Sequence, residues 1–350
     1  MMDNLRIPRK LKRGDRVAVV SLSWGGPGAF PHRYEAGVRQ LEEAFGVQVV
    51  PMPNALRDAE WLARNPEARA DDLTRAFGDP SIRGIISTIG GEDSIRLLPH
   101  LDLDLMHDNP KVLMGFSDTT VTHFVCLKAG LRSYYGPAMM AGFAENGGIF
   151  EYMRASVERT LFSSEAIGLL TPNSAGWTVE HLDWADPANQ ARKRKLQPAT
   201  GWRFLQGSGT HSGRLIGGCI EVLDWLRGTG VWPAVDVWEG AVLFLETSEE
   251  APPPIAVKRI LRTLGAVGVL GAINGVLFGR PGGQAAPEKF GEYDSALMDV
   301  IAKESERKDI PIVTNMDFGH TDPMMVLPYG ALCEIDCDAR QVTIPESGVK

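Results

Sequence analysis

The sequence predicts an α/β protein of two domains. The first is an N-terminal open, mostly parallel, flavodoxin-like sheet. The second is a C-terminal α/β domain that ends in short antiparallel strands. Three observations carry this expectation. Short apolar runs alternate with amphipathic stretches over residues 16–130, the pattern of strands covered by helices. The same alternation restarts near Gly213. Between the two, periodicity fades, and Trp177, Trp184, Trp202 and the basic run Arg192-Lys193-Arg194-Lys195 appear. A chain of 350 residues is long enough for two domains. The expected boundaries are 1–165 for the first domain, 166–208 for an aromatic connector of loops with room for a hairpin, and 209–350 for the second.

In chain order, residues 16–22 read as a first parallel strand running into the glycine-rich loop 23–28. A helix is expected over 31–45, a strand over 47–50 and a helix over 71–77 closed by Gly78. Residues 84–89 form a third strand ending at Gly90 and Gly91, and Val112–Met114 a fourth. After it comes a helix with Val121, Phe124 and Val125 on one face, closed by Gly130. In the second half, strands are expected at 241–246, 273–278 and 312–313, and helices from after Gly218 through Arg227 to Gly228, over 252–264 and over 293–307. Residues 325–344 look like the short antiparallel strands. The basic run reads as a solvated loop.

Composition narrows the function. A hydrophobic share of 44% supplies a sizeable core. A formal net charge of -8 argues against nonspecific nucleic-acid binding. The basic first sixteen residues lack the apolar stretch of a signal peptide, and no run approaches membrane-spanning length. Cys126, Cys219, Cys333 and Cys337 are scattered without metal spacing, and no paired-histidine motif occurs. These features predict a cytoplasmic protein with no metal, cofactor, nucleic-acid or membrane partner.

In open parallel sheets, ligands sit at the carboxyl ends of the strands. Three glycine-bearing loops (23–28, 90–93 and 115–118) reach that edge. Ser117 lies at a sharp strand-to-helix turn, the device that presents serine nucleophiles in α/β hydrolases. The turn lacks the second glycine of Gly-x-Ser-x-Gly, and Ser117 and Asp118 also fit an ordinary helix cap. Glu246 ends an apolar strand, and His320 follows another in a Gly-His-Thr-Asp-Pro loop. Together Ser117, His320 and Glu246 would make a nucleophile, a general base and an orienting acid. Glu249 and Asp322 compete for the acid role. The Asp118 N–H at the helix start, with one from Gly90 or Gly91, would form an oxyanion hole.

These residues resemble the LD-carboxypeptidases, a serine peptidase family (S66) that includes the microcin C immunity proteins. The resemblance covers nearly the whole chain. It runs through Thr88–Gly91, Gly115–Asp118, Gly213–Gly218, Leu245–Glu249, Gly279–Arg280 and Gly319–His320. It implies a Ser117–Glu246–His320 triad split between two domains and a cytoplasmic, metal-free homodimer. One branch trims D-alanine from a cell-wall tetrapeptide. The other cleaves a peptide- or aminoacyl-nucleotide conjugate and so detoxifies an antibiotic. The long tryptophan-bearing connector and the Glu-Thr-Ser-Glu stretch favour the immunity-like branch, with Trp177 and Trp184 stacking on a base and Glu249 facing substrate. For these tryptophans, packing at the domain junction is the competing role. A non-catalytic binding protein on the same scaffold stays open as well. Cys219 stands where the family pattern has asparagine after Gly217-Gly218.

Overall fold

The computed structural model describes residues 2–283 and 285–350. In the first domain, β1 (Arg16–Val20), β2 (Gln48–Pro51), β3 (Ile82–Ser87), β4 (Val112–Gly115) and β5 (Tyr134–Tyr135) lie parallel in the order β2-β1-β3-β4-β5. Their apolar residues are buried almost without a break in β1, β3 and β4, which is what a sheet covered on both faces requires.

The second domain is built on β6 (Ala166–Leu170), β7 (Arg203–Gln206), β8 (Thr210–Cys219), β9 (Val242–Glu246), β10 (Gly275–Gly279) and β11 (Ile312–Met316). Beyond these, β12 (Leu327–Pro328) returns to the first domain and pairs antiparallel with β5, so the C-terminal half completes the N-terminal sheet. The chain ends with β13 (Leu332–Asp336) and β14 (Gln341–Ser347). The second sheet runs β6-β14-β13-β8-β9-β10-β11-β7. Its centre, β8 to β11, is parallel, and its flanks are antiparallel. The site-bearing strands β4, β9 and β11 are central or near-central, where both neighbours hold their register.

Three expectations change. The segment 166–208 is not only loops: both outer strands of the second sheet, β6 and β7, come from it. They are edge strands: β7 is half-buried throughout and β6 buries Ile167 and Leu170 without strict alternation, so neither pattern registers as a strand in the sequence. The helix Thr120–Lys128 is not amphipathic, because Thr120 through Leu127 are all buried. The helix Ile220–Leu226 of the second domain packs on it, and Phe124 stacks on Trp232 at 5.7 Å. A single apolar core therefore runs through both domains. The basic run is solvated only in part: Arg194 ion-pairs with Glu145 of the first domain and with Asp322 of the second at 2.7 Å. It ties the connector to both halves.

Candidate active site

Ser117 begins at backbone level. The apolar strand β4 drives the chain to the sheet edge, and Ser117 then takes φ = 60°, a left-handed conformation that a serine adopts only under constraint. Two neighbours supply the constraint. The Ser117 N–H donates to the Tyr135 hydroxyl at 3.1 Å. The carbonyl of Gly115 accepts from His123 Nε2 at 3.0 Å, while Nδ1 meets the Ser133 hydroxyl at 2.8 Å. A carbonyl can only accept, so Nε2 carries the proton and Nδ1 accepts. Burial pushes His123 down to about 4, which keeps it neutral.

Gly90 lies against the serine, where a Cβ would stand 2.8 Å from Ser117 Oγ. Gly91 has φ = 143°, and a Cβ there would meet Ser23 Oγ at 2.2 Å. Among the described residues, the N–H groups of Gly91 and Asp118 have no acceptor. The Asp118 carboxylate accepts from the Ser94 N–H at 2.8 Å, and burial pushes its pKa up.

Glu246 closes β9 and is fully buried. One carboxylate oxygen, Oε1, accepts from the Tyr135 hydroxyl; the other, Oε2, lies 2.7 Å from His320 Nδ1. The His320 loop approaches so closely because residue 319 is glycine: its φ is 91°, and a Cβ would stand 2.6 Å from Glu246. Tyr135 thus joins the two halves of the site, accepting from the serine backbone and donating to the acid. Burial and the Glu246 charge both push the Tyr135 hydroxyl well up, so it stays a donor.

His320 Nε2 does not bond Ser117 Oγ. It faces Glu249 Oε2 at 3.0 Å. Burial alone would lower the imidazole, but the carboxylates of Glu246 and then Glu249 outweigh it and hold His320 up at about 10. In return, the His320 hydrogen bond holds the Glu249 carboxyl down at about 2.

Ser117 and His320 open on one cavity of about 540 Å³, walled by Trp24, Phe30, Trp184 and Phe116. A second cavity of about 300 Å³ adjoins it, sharing Trp184, Glu249, His320 and Asp322. The two expected tryptophans part company here. Trp184 lines the cavity, with the Arg33 guanidinium 4.0 Å above its ring. Trp177 is 3% exposed and packs on Phe290 and Arg280, so its indole serves the domain junction and is not available for stacking. Trp202 also turns inward and donates to Asp317 at 2.8 Å. Asp322 lines the cavity but pairs with Arg194 and not with His320. Cys219 is buried, its Sγ directed at Glu221, and lines neither cavity.

Sequence reasoning missed Tyr135, Trp24, Phe30, His181 and Asp183. Tyr135 sits in a two-residue strand with no periodic signal. Trp24 and Phe30 flank the first glycine-rich loop, so position beside a strand-end loop was the available clue.

The chain is a two-domain α/β protein in which the Ser117 turn and the Glu246–His320 pair meet at one cavity. Residues 17–136 match the LD-carboxypeptidase N-terminal domain and residues 212–335 its C-terminal domain, so the chain belongs to the LD-carboxypeptidase family. It is similar to the microcin C7 self-immunity protein MccF of Escherichia coli, 28% identical over 95% of this chain and 94% of that protein. It is 27% identical to the murein tetrapeptide carboxypeptidase of Pseudomonas aeruginosa over 85% of this chain and 86% of that one. Among solved structures, a MccF-like protein of Streptococcus pneumoniae in complex with AMP superposes with a TM-score of 0.85 at 31% identity, covering 94% of this chain and 98% of that one. MccF in complex with glutamyl sulfamoyl guanosine gives 0.84 at 26% identity, covering 98% and 99%.

Proposed function

We propose that this protein is a serine hydrolase that cleaves an amide-type bond in an aminoacyl-nucleotide or small peptide–nucleotide conjugate, as an immunity enzyme would. The observation that carries this is the shared cavity: Ser117, the Glu246–His320 pair and an aromatic wall of Trp24, Phe30 and Trp184 converge on it. Its relatives support the same chemistry, since structures similar to this chain hold AMP and a glutamyl sulfamoyl nucleoside.

In this mechanism Ser117 Oγ attacks the scissile carbonyl carbon while His320 Nε2 takes its proton. Glu246 holds the Nδ1–H tautomer and stabilises the imidazolium. The N–H groups of Gly91 and Asp118 receive the developing oxyanion. His320 then protonates the leaving nitrogen, and water hydrolyses the acyl-enzyme by the reverse proton transfers. The base stacks beside Trp184.

The tetrapeptide reading is favoured by the murein relative. Against it, a carboxypeptidase must hold a terminal carboxylate, and the main cavity offers no Lys or Arg among its described residues. The deciding experiment sets an aminoacyl sulfamoyl-adenosine beside an L,D-tetrapeptide. We expect the nucleotide conjugate to be hydrolysed with the higher kcat/KM, and Ser117→Ala to lower it by about 10⁴-fold or more while the circular dichroism spectrum is unchanged. Faster cleavage of the tetrapeptide would reverse the substrate assignment. Retained turnover in Ser117→Ala would end the proposed mechanism.

A further inference from the structure

The proposed general base is blocked in the free protein. His320 Nε2, the nitrogen that must accept the serine proton, faces a second carboxylate. Glu249 is not there by accident of a floppy side chain. The segment just before it is fixed, because Glu221 Oε1 accepts from the Ser248 N–H at 3.0 Å and the Thr247 hydroxyl accepts from the Gly282 N–H at 3.0 Å. The Glu249 side chain itself is 73% exposed and lines both cavities, so it can leave His320 without disturbing the core.

The rest of the main cavity shares its sign. Asp183 lines it with Glu249, Asp322 is paired with Arg194, and Arg33 and Arg194 line the adjoining cavity and not this one. The groups facing His320 are Glu246 on Nδ1, Glu249 on Nε2 and the Phe116 ring at 4.9 Å; His181, Asp183 and Asp322 complete the titratable lining of the main cavity. A pocket that places the exposed Glu249 carboxylate at the reaction centre fits a cation next to the scissile carbonyl. The free α-ammonium of an aminoacyl group is such a cation, one carbon from the bond to be cut.

We propose that Glu249 is a substrate-sensing, positioning residue that binds the ammonium group of the acyl moiety and thereby releases His320 to act as base. In the empty site Glu249 holds the imidazolium. When the ammonium arrives, the carboxylate moves onto it, the Nε2 proton passes to water, and the freed nitrogen turns to Ser117 Oγ. The inference rests on the serine-hydrolase reading for its site and adds the charge the substrate must carry.

The test compares an aminoacyl sulfamoyl-adenosine with its N-acetylated form in wild type and Glu249→Gln. Wild type should prefer the free amine at least tenfold in kcat/KM. In Glu249→Gln that preference should fall about tenfold, with the N-acetylated rate unchanged or higher. The acidic limb of its pH profile should also move to lower pH, because one carboxylate no longer holds the imidazolium. A merely structural residue would lower both substrates alike and leave the limb in place; either result overturns the proposal. An NMR titration of His320 separates this proposal from the substrate reading. The imidazole pKa should drop in free Glu249→Gln whichever substrate is cleaved, and an unchanged value refutes the contact. In the Ser117→Ala background, calorimetry with the free and N-acetylated aminoacyl sulfamoyl-adenosine should show the ammonium preference in binding, and its absence there refutes ammonium recognition.

Discussion

The two halves of the site are held in different ways. Around Ser117 the support is mostly local: β4 ends at Gly115, His123 sits six residues on, and the whole turn lies within one strand–helix unit. Around His320 nearly every partner is distant. Glu246 is 74 residues away, and its hydrogen bond toward the serine turn goes to Tyr135, 111 residues from it. The serine half belongs to the first domain and the base–acid pair to the second, so the complete site exists only once the two domains share a core. That difference suits a hydrolase whose cleft opens between two sheets: a rigid strained turn presents the hydroxyl, and the more exposed His320–Glu249 contact is the part left able to respond.

The sharpest way to break the comparison is Glu246→Gln. If the distant half works only as an ensemble, losing the charge while keeping the shape should lower kcat about 10⁴-fold through the wrong imidazole tautomer, measured under substrate saturation. A loss under tenfold would mean that Glu246 is ordinary packing. Next in size is Tyr135→Phe, which removes that bridge. It leaves the Ser117 N–H and Glu246 Oε1 without their partner, so unfolding in urea should show a loss of about 1–3 kcal/mol. An unaltered midpoint would show that water replaces the hydroxyl.

A smaller effect separates the tryptophans. Trp184→Ala should raise the Kd for AMP about tenfold by calorimetry, within the range of stacking on one base. Trp177→Ala should leave that Kd nearly constant and lower Tm instead. Equal Kd changes would erase the distinction between cavity wall and junction. The smallest expected effect is in stability against pH. The folded His320 is held up at about 10, above the ordinary histidine value near 6.5, so its imidazolium stabilises the fold fully below pH 6.5. That contribution is lost as pH rises through about 10. The Tm difference between wild type and His320→Ala should shrink over this window, and a constant difference would contradict the double-carboxylate environment.

Much of this could be read from residues alone, for identifiable reasons. β1, β3 and β4 are continuous apolar runs because both faces are covered, and strand ends beside glycine are where such sheets bind ligands. Ser117, Glu246 and His320 stand at such ends, and the family resemblance runs through the same motifs. The strands β6 and β7 were hidden because edges alternate weakly, and Tyr135 because two residues make no period. Arg194 sat in a run of cations that resembles solvent-facing loop, and only its neighbours Glu145 and Asp322 distinguish it from Lys193.

The amino-acid order by itself determined the alternation of elements, the serine turn and the candidate acid and imidazole, since these depend on local pattern and on strand-end position. Tertiary structure alone decided that Trp184 faces the cleft while Trp177 does not, that Tyr135 links Glu246 to the Ser117 backbone, and that Glu249 occupies the imidazole nitrogen. Those are contacts between segments far apart in the chain, and hydrogen bonds and ion pairs of that range are set by how the two sheets pack, which no local periodicity encodes.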